Sequence, residues 1–269
     1  MGLTALYSAA TGMKAQDVNM DVIANNIANV NTTAYKKVRA NFQDLMYQRL
    51  NPSGAVDSEN NRIPSETIVG LGVQLVNTQR DFSEGRLEAT NRKLDVAIEG
   101  NGFFQIEVPE GLSPDGVAYT RDGNLYVDAD GQLVTGQGYR LTPNITFDTT
   151  FIPDSVDVAV DGTISYALPG STTLTQAGQL ELAFFTNPEG LESVGQNLYI
   201  QTDASGTATT GAPGSSSLGT IIQGHLESSN VELVEELVNM IRAQRAFEFN
   251  SQTIKTADEM MQVVTTLRR

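Results

Sequence analysis

The sequence predicts an α+β protein in which long N- and C-terminal heptad helices pack as a coiled-coil-like tube core, with an antiparallel β-rich central domain. Large apolar residues recur every seven positions near both chain ends, which is the spacing of a helical seam with a period of 3.5 residues. Between the ends, apolar and polar residues alternate with a period of two, and Asp-Gly pairs separate the alternating runs. A chain of 269 residues can hold two modest domains or one elongated domain.

Residues 1–35 are predicted to form a helix that ends in an Asn-rich run. Its heptad positions are apolar, namely Leu6, Met13, Met20 and Ile27. Asparagine is a poor helix former because its amide competes for nearby backbone groups, so the run from Asn25 onward marks the end of the helix. Asn25, Asn26 and Asn29 fall on neighbouring faces, where their amides can bond a neighbouring backbone. A simple polar cap and turn is the alternative.

Residues 36–80 are predicted to contain a short apolar-aromatic helix, a polar loop and an extended segment. The helix covers Phe42 to Tyr47, and the loop runs from Asn51 to Glu66 with two prolines and a glycine. Alternation from Thr67 to Thr78 indicates the extended segment. Both a solvated loop and a contact between subunits remain open for Asn51 to Glu66.

Residues 81–201 are predicted to form the antiparallel β domain. Its hairpin turns are expected at the Asp-Gly pairs, which favour positive φ: Asp115-Gly116, Asp122-Gly123, Asp130-Gly131 and Asp161-Gly162. The strand-like runs between them include Phe103–Val108, Asn124–Val127, Gln132–Thr135 and Val156–Val160. Residues 202–228, rich in Gly, Ser, Thr and Ala, are predicted to be a linker.

Residues 229–269 are predicted to form the C-terminal helix. Ser229 and Glu232 fit a capping box, which places the start of the helix at Ser229. Five heptad positions are large and apolar, namely Leu233, Met240, Phe247, Ile254 and Met261. Such a helix is roughly 55 to 60 Å long at about 1.5 Å per residue, so it needs packing partners along its length. Closure of one intramolecular core and packing between subunits both satisfy the pattern, and the length favours the second.

Composition excludes several classes of partner. The formal charge of −15, with only 17 Lys and Arg, argues against nucleic acid, because a phosphate backbone is bound by clustered cations. No apolar run approaches the roughly 18 residues that membrane insertion requires. The absence of cysteine removes disulfides, thiolate nucleophiles and zinc clusters. No cofactor is predicted.

Three short patterns that carry chemistry elsewhere are interpreted as structural, so no catalytic, cofactor-binding or metal residue is predicted. The run from Asp122 to Gly131 lacks the spacing of a calcium loop, and Gly100-Asn101-Gly102 indicates a close backbone approach rather than a dinucleotide site. His225, the only histidine, precedes a helix. For a glycosidase, one carboxyl should sit in an apolar setting that raises its pKa, and the sequence suggests none.

Three separated motifs stand out. They are Ala24-Asn25-Asn26-Ile27-Ala28-Asn29 with the following Tyr35-Lys36, Leu94 to Phe104, and Glu227-Ser228-Ser229-Asn230-Val231-Glu232 with Gln244-Arg245-Ala246-Phe247-Glu248. In this order they resemble the signatures of the rod and hook family of axial proteins of the bacterial flagellum. The segment from Asn51 to Glu66, which follows Asp44-Leu45-Met46-Tyr47-Gln48, resembles the extra stretch of the distal rod subunits within that family. Two positions depart from the family: Ala34 replaces a glycine, which argues against a positive φ there, and Phe247 replaces a common tyrosine.

The resemblance implies a non-enzymatic subunit of the distal rod that polymerises helically into the drive shaft carrying torque from motor to hook. Implied partners are further copies of the chain, the proximal rod and hook proteins, the L- and P-ring proteins around the rod, and the flagellar type III export apparatus. The implied location is the periplasm-spanning rod of the basal body. A proximal rod or hook subunit is the alternative within the family, and a cell-wall glycosidase is the alternative outside it.

The assembly interface is predicted to use the heptad residues together with the amides of the Asn-rich run. The predicted residues are Leu6, Met13, Met20, Asn25, Asn26, Ile27, Asn29, Leu233, Met240, Phe247, Ile254 and Met261.

Overall fold

The computed structural model describes residues 2–51, 66–109, 111–148, 150–170, 173–215 and 217–267. The chain forms two compact units. Unit 1 consists of Met1–Ala28, Val38–Arg80 and Glu232–Arg269, and unit 2 consists of Asn29–Lys37 and Asp81–Val231. Helices lie at both chain ends and strands fill the centre, so the predicted α+β class is confirmed.

Unit 1 is built from two long helices and a broken β ribbon. Helix α1 is Gly2–Ala28 and helix α2 is Leu233–Leu267, and the two pack against each other. Strand β1 (Val38–Asp44) pairs antiparallel with β4 (Val73–Arg80), with a register shift at Asn41/Phe42, and both strands contact α1. Farther along the ribbon, β2 (Tyr47–Asn51) pairs antiparallel with β3 (Thr67–Gly70).

The ribbon corrects the predicted helix at Phe42 to Tyr47, which is wrong. Phe42 belongs to β1 and Tyr47 begins β2. The local cluster of apolar and aromatic residues carried no clear period, and pairing with strands some thirty residues away decides its conformation. Of the polar loop from Asn51 to Glu66, residues 52–65 lie outside the described part of the chain.

Helix α1 and helix α2 bury mainly small side chains. Ala9, Ala15, Ala243 and Ala257 are all buried. Among the residues of α1 whose burial is described, Ile23 is the one large apolar side chain that is buried. A Cβ on Gly12 would lie 2.9 Å from Nδ2 of Asn250, so the missing side chain allows a close approach of the two helices. Neither helix, over its described residues, has an apolar stretch long enough to cross a membrane.

Unit 2 is a β structure of several sheets. A nine-stranded sheet has the order β16-β17-β8-β7-β11-β10-β9, with β15 pairing both β7 and β18, and β12-β13-β14 form a second sheet. Strand β19 pairs with β6, and β20 pairs with β5. The strands are β5 Leu87–Ala89, β6 Val96–Glu99, β7 Phe103–Glu107, β8 Val117–Thr120, β9 Leu125–Val127, β10 Leu133–Thr135, β11 Arg140–Thr142, β12 Asp157–Val158, β13 Thr163–Ala167, β14 Leu174–Gln179, β15 Leu182–Phe184, β16 Glu192–Gly195, β17 Leu198–Ile200, β18 Thr209–Gly211, β19 Thr220–Gln223 and β20 His225–Glu227.

The core of unit 2 is large and apolar. Residues that alternate along the strands, such as Phe104 and Ile106 of β7, are fully buried together with Leu182 and Ile221. A second cluster is aromatic, and Tyr119 and Phe185 meet edge to face with ring centroids 4.8 Å apart. Unit 2 therefore has its own hydrophobic core.

Three of the four Asp-Gly pairs behave as predicted. Gly116, Gly131 and Gly162 have positive φ and connect paired antiparallel strands. The pair Asp122-Gly123 is an exception, because it connects β8 to β9, which do not pair with each other, and Gly123 has no positive φ. A Cβ on Gly123 would collide with the carbonyl oxygen of Val96, so this glycine serves a close backbone approach.

The prediction that residues 202–228 are a linker is wrong, because these residues contain β18, β19 and β20. Ile221 in β19 is buried and pairs with Ile98 of β6. Small residues dominate the composition of this segment, and a few apolar side chains lie between them at strand spacing. The composition therefore suggested a linker although the segment forms strands. Gly219 is one of the small residues with a specific role, since a Cβ there would collide with the carbonyl oxygen of Glu99.

Candidate assembly surfaces

The predicted interface residues are half-buried along the middle of unit 1 and exposed toward the ends of α2. Leu6, Met13, Met20 and Ile27 of α1 are half-buried, as are Met240, Phe247 and Ile254 of α2. Leu233 and Met261 are exposed, with 42% and 41% of their surface accessible. The large heptad residues therefore line the helix pair without forming its most buried positions.

The most buried positions of α2 keep the seven-residue spacing in a different phase. Glu236, Ala243 and Ala257 are buried, and Asn250, at the same spacing, lies against Gly12. The heptad pattern places Ala243 and Ala257 in the helical seam, but the predicted interface residues are the large apolar ones and leave this set out. The signal that could have revealed it is the recurrence of alanine in register with Gly12 and Asn250, because small residues let two helix backbones approach closely.

Asn26 makes its hydrogen bonds inside unit 1. Its Nδ2 donates to the Val38 carbonyl at 2.8 Å, and its Oδ1 accepts from the Val38 N–H at 3.0 Å. The same Nδ2 lies 3.5 Å from Oε2 of Glu236, and both side chains are buried. The amide of Asn26 thus joins the end of α1 to the start of β1 and to α2. Asn25 is exposed, and Asn29 accepts from the Thr32 hydroxyl at 3.1 Å.

Helix α2 is apolar on two sides. Successive residues are about 100° apart around a helix, so Val234, Val238 and Ile241 lie roughly opposite the buried set of Glu236, Ala243 and Ala257. Phe249 lies on the flank of the helix between these two sides. All four are exposed, Phe249 at 71%. We call these four residues the outer stripe. A soluble protein rarely leaves a long apolar stripe uncovered, so the outer stripe is a candidate contact surface.

The predicted capping box is wrong, because α2 begins at Leu233 and not at Ser229. The Ser229 hydroxyl accepts from the Val231 N–H at 3.3 Å, and Glu235 and Glu236 supply negative charge to the first turn of the helix. The residue after Ser229 has a different task. Asn230 accepts from the Lys37 N–H at 2.7 Å and donates to the Asp81 carbonyl at 2.9 Å, which ties three segments of unit 2 together.

A buried charged cluster lies in unit 2 and consists of Lys36, Arg121 and Glu227. Lys36 Nζ is 2.6 Å from Glu227 Oε1, and Arg121 Nε is 2.8 Å from Glu227 Oε2. Lys36 also donates to the Ser83 carbonyl at 2.6 Å, and the Gly85 N–H donates to Glu227 Oε1 at 2.8 Å. All three charged side chains are almost completely buried. Lys36 and Glu227 belong to two of the motifs in the sequence, but no spacing in the sequence predicts that they meet.

Two cations share one carboxylate in this cluster. Burial and the neighbouring charge of Arg121 lower the pKa of Lys36, although Glu227 acts in the opposite direction. Burial alone would raise the pKa of Glu227, but the charges of Arg121 and Lys36 and the Gly85 N–H hold it below its ordinary value. Glu227 is therefore ionised at neutral pH, and Lys36 is the cation that the surroundings penalise.

Ala34, beside this cluster, corrects the expectation that this position has no positive φ. Its φ is +56°, so the left-handed turn is kept although alanine replaces the family's glycine. Ala34 is buried, and its N–H donates to the Glu227 carbonyl at 2.8 Å. A non-glycine residue in this region costs about 1 to 3 kcal/mol, which the surrounding contacts must offset.

The carboxyl with a raised pKa that sequence analysis did not expect is Asp122. Burial raises its pKa, and the charge of Asp95 adds to the effect. Both carboxyls serve local structure: Asp122 accepts from the Asn124 N–H at 3.1 Å, and Asp95 accepts from the Thr90 hydroxyl at 2.6 Å. His225 lies in β20 with Nδ1 2.9 Å from the Gln223 carbonyl oxygen. These contacts give the residues structural roles.

Gly100 and Gly102 have positive φ, which favours glycine, and a Cβ on Gly100 would lie 3.2 Å from Cα of Gly219, which is the predicted close backbone approach. The Gly100 carbonyl accepts from Arg121 Nη2 at 2.9 Å, and the Asn101 carbonyl accepts from the Gly219 N–H at 2.7 Å. A Cβ on Gly102 would lie 3.3 Å from Leu182. This motif thus holds one side of the buried charged cluster.

Three family models match the chain, and together they define a class. The model described as "Flagella basal body rod protein" matches residues 6–36, and "Flagellar hook protein FlgE/F/G D1 domain" matches residues 97–166. The model described as "Flagellar basal body rod FlgEFG protein C-terminal" matches residues 222–267. The chain is thus similar to axial proteins of the flagellar rod and hook over both ends and the centre.

Full-length relatives narrow the class. The chain is 45% identical to the flagellar basal-body rod protein FlgG of Borreliella burgdorferi, over 99% of each chain, and 45% identical to that of Buchnera aphidicola subsp. Baizongia pistaciae, over 98% of this chain and 100% of the relative. It is 44% identical to FlgG of Agrobacterium fabrum, over 97% and 98%. The chain belongs to the FlgG family of flagellar basal-body rod proteins. It is therefore a structural subunit of the basal-body rod.

Proposed function

We propose that the chain polymerises helically into the distal rod, where its two terminal helices form a coiled-coil-like tube core that transmits torque from motor to hook. The observation that carries the proposal is the pair of apolar sides of α2. One side packs with α1, and the outer stripe on the other side is exposed. A second copy of the chain is the occupant that the rod family supports.

The outer stripe is large enough to matter energetically. Burying four large apolar side chains contributes about 6 to 12 kcal/mol per subunit before the cost of ordering the helix. A contact between two different surfaces of identical subunits continues indefinitely when it does not close into a ring, and it then builds a helical filament. The exposed Leu233, Met261 and Asn25 are proposed to join this contact, together with Asn29. The half-buried heptad residues and Asn26 are proposed to hold together the pair of helices, α1 and α2, against which the neighbouring subunit packs.

The proposed partners follow from this place in the flagellum. They are further copies of the chain, proximal rod and hook proteins at the two ends, and the L- and P-ring proteins around the rod. Delivery unfolded through the flagellar type III export apparatus is part of the same proposal. The proposal assigns the chain no catalytic role, cofactor or metal. The full-length relatives are named basal-body rod proteins, which favours a rod subunit over a hook subunit. The distal position is proposed from the resemblance of the Asn51–Glu66 segment to that of the distal rod subunits.

The experiment replaces Phe249 with Asp. We expect the purified monomer to melt as the wild type does, because Phe249 is 71% exposed and touches little in the monomer. We expect cells to export the variant but to build no hook or filament, since a desolvated, unpaired carboxylate costs several kcal/mol at every repeat of the polymer. Electron microscopy of basal bodies and calorimetry of the purified protein are the two measurements.

Two matched variants sharpen the result. Gln244→Asp adds the same charge at an exposed position of α2 outside the outer stripe, and we expect normal rods. Phe247→Asp places the charge at a half-buried position, so it is expected to disrupt the α1–α2 pair as well as assembly. Normal rods with Phe249→Asp would refute packing through the outer stripe.

A further inference from the structure

The buried charged cluster joins two segments of unit 2 that are continuous in sequence with the two helices. Lys36 follows the end of α1 by eight residues, and Glu227 precedes the start of α2 by six. The two segments also share backbone bonds, from the Ala34 N–H to the Glu227 carbonyl at 2.8 Å and from the Lys37 N–H to Asn230 Oδ1 at 2.7 Å. The cluster thus joins the segment that follows α1 in the sequence to the segment that precedes α2.

Stability alone does not account for Lys36. Glu227 is already neutralised by Arg121, whose guanidinium also donates to the carbonyls of Ile98 and Gly100 at 3.3 and 2.9 Å. Lys36 adds a second cation at a side chain only 1% exposed, where Glu84 is the other carboxylate that favours its charge. Removing one member of a buried ionic group is costly when it leaves a charge uncompensated, whereas replacing a whole buried ion pair or triad with apolar residues is often neutral or stabilising. Here Arg121 remains bonded to Glu227 when Lys36 is removed. The feature that Lys36 supplies and that Met would lack is a directional bond to two segments at once, the Ser83 carbonyl and the Glu227 carboxylate.

We infer that Lys36 is a positioning residue for rod assembly: its buried bonds fix the segment after α1 against the segment before α2, at a cost in stability. The inference rests on the proposed polymerisation of the chain. In a polymer, an error in how these two segments are held together is repeated at every subunit. Loss of the Lys36 bonds is therefore expected to prevent assembly even though unit 2 stays folded. The best-documented role of buried polar groups in protein interiors is to fix register in this way.

The test is Lys36→Met, a substitution of similar length that leaves Arg121 and Glu227 as a balanced pair. We expect the melting temperature of unit 2 to stay within about 3 °C of the wild type or to rise. Hydrogen exchange at the amides of Ala34 and Lys37 is expected to be about tenfold faster or more, because their partners are no longer held in place. Basal bodies from these cells are expected to lack hooks.

Two further variants complete the design. Lys93→Met removes an exposed lysine from the same unit and is expected to assemble normally. Lys36→Arg keeps a cation that can donate to both Ser83 and Glu227, and it is expected to restore assembly. Failure of Lys36→Arg to assemble would count against the positioning role.

The inference is overturned if Lys36→Met assembles as the wild type does, or if its melting temperature falls by about 10 °C or more, which would make Lys36 a plain stability element. Unchanged exchange at Ala34 and Lys37 would also overturn it. These outcomes differ from failure of the proposed function, which would appear as normal rods with Phe249→Asp, whatever the behaviour of Lys36→Met.

Discussion

Glu227 is the residue on which the buried charged cluster depends. Its carboxylate accepts from Lys36, Arg121 and the Gly85 N–H, and its carbonyl accepts from the Ala34 N–H. Removing Lys36 leaves Arg121 paired with Glu227, whereas removing the charge of Glu227 takes away the one carboxylate that bonds both buried cations. Lys36→Met and Glu227→Gln both remove the bond between these two side chains. Their effects on the stability of unit 2 are nevertheless expected to differ in sign or size.

Glu227→Gln is expected to lower the stability of unit 2 by about 3 to 5 kcal/mol at pH 7. The pKa of Glu227 is lowered in the folded state, so its contribution is full above its unfolded value of 4.5 and is lost as the pH falls through the folded pKa. The difference in unfolding free energy between wild type and variant should therefore shrink below about pH 4.5. Denaturant unfolding from pH 7 to pH 3 measures it, and a difference that stays constant over this range would contradict the assigned pKa direction.

The helices show what an element's sequence can and cannot reveal. The seven-residue period of α1 and α2 was readable because it is a local property. The phase of the buried side was not, because it depends on which backbone approaches closely, and that choice falls on Gly12, Asn250 and the alanines. The strand at Phe42 was missed for a related reason, since its partner Leu75 is 33 residues away.

Gly12→Leu tests the close approach of α1 and α2. A Cβ at this position would already lie 2.9 Å from Asn250, so a larger side chain must separate the helices or displace the amide, at about 1 to 3 kcal/mol. We expect the critical concentration for polymerisation of the purified protein to rise about tenfold or more, as measured by sedimentation. Ala10→Leu, at an exposed position of α1, is the control and should leave it unchanged. Equal values for the two variants would show that the helices do not need a small residue at position 12.

Across the whole chain, the motifs that carried the family resemblance were predicted from sequence, while their meeting was not. Lys36, Gly100 and Glu227 are separated by 64 and 127 positions, and the structure brings them to one buried cluster. No periodicity or propensity links such distant residues. The assembly role of the heptads likewise remains a prediction, because a single chain shows only which side chains are left exposed.

The two units should differ in stability when the chain is a monomer. Unit 2 buries large residues such as Phe104, Leu182 and Tyr199, whereas α2 buries mainly alanine and leaves the outer stripe in water. Alanine contributes little burial energy, and an isolated helix of marginal packing frays.

We therefore expect hydrogen exchange in the monomer to be fast over residues 2–28 and 233–267, and slow over the core strands from Val96 to Ile200. Assembly into rods should then slow exchange in both helices, because the neighbour covers the outer stripe and ordering is coupled to binding. Slow exchange in both helices of the dilute monomer would mean that the α1–α2 pair is stable alone and that polymerisation joins preformed units.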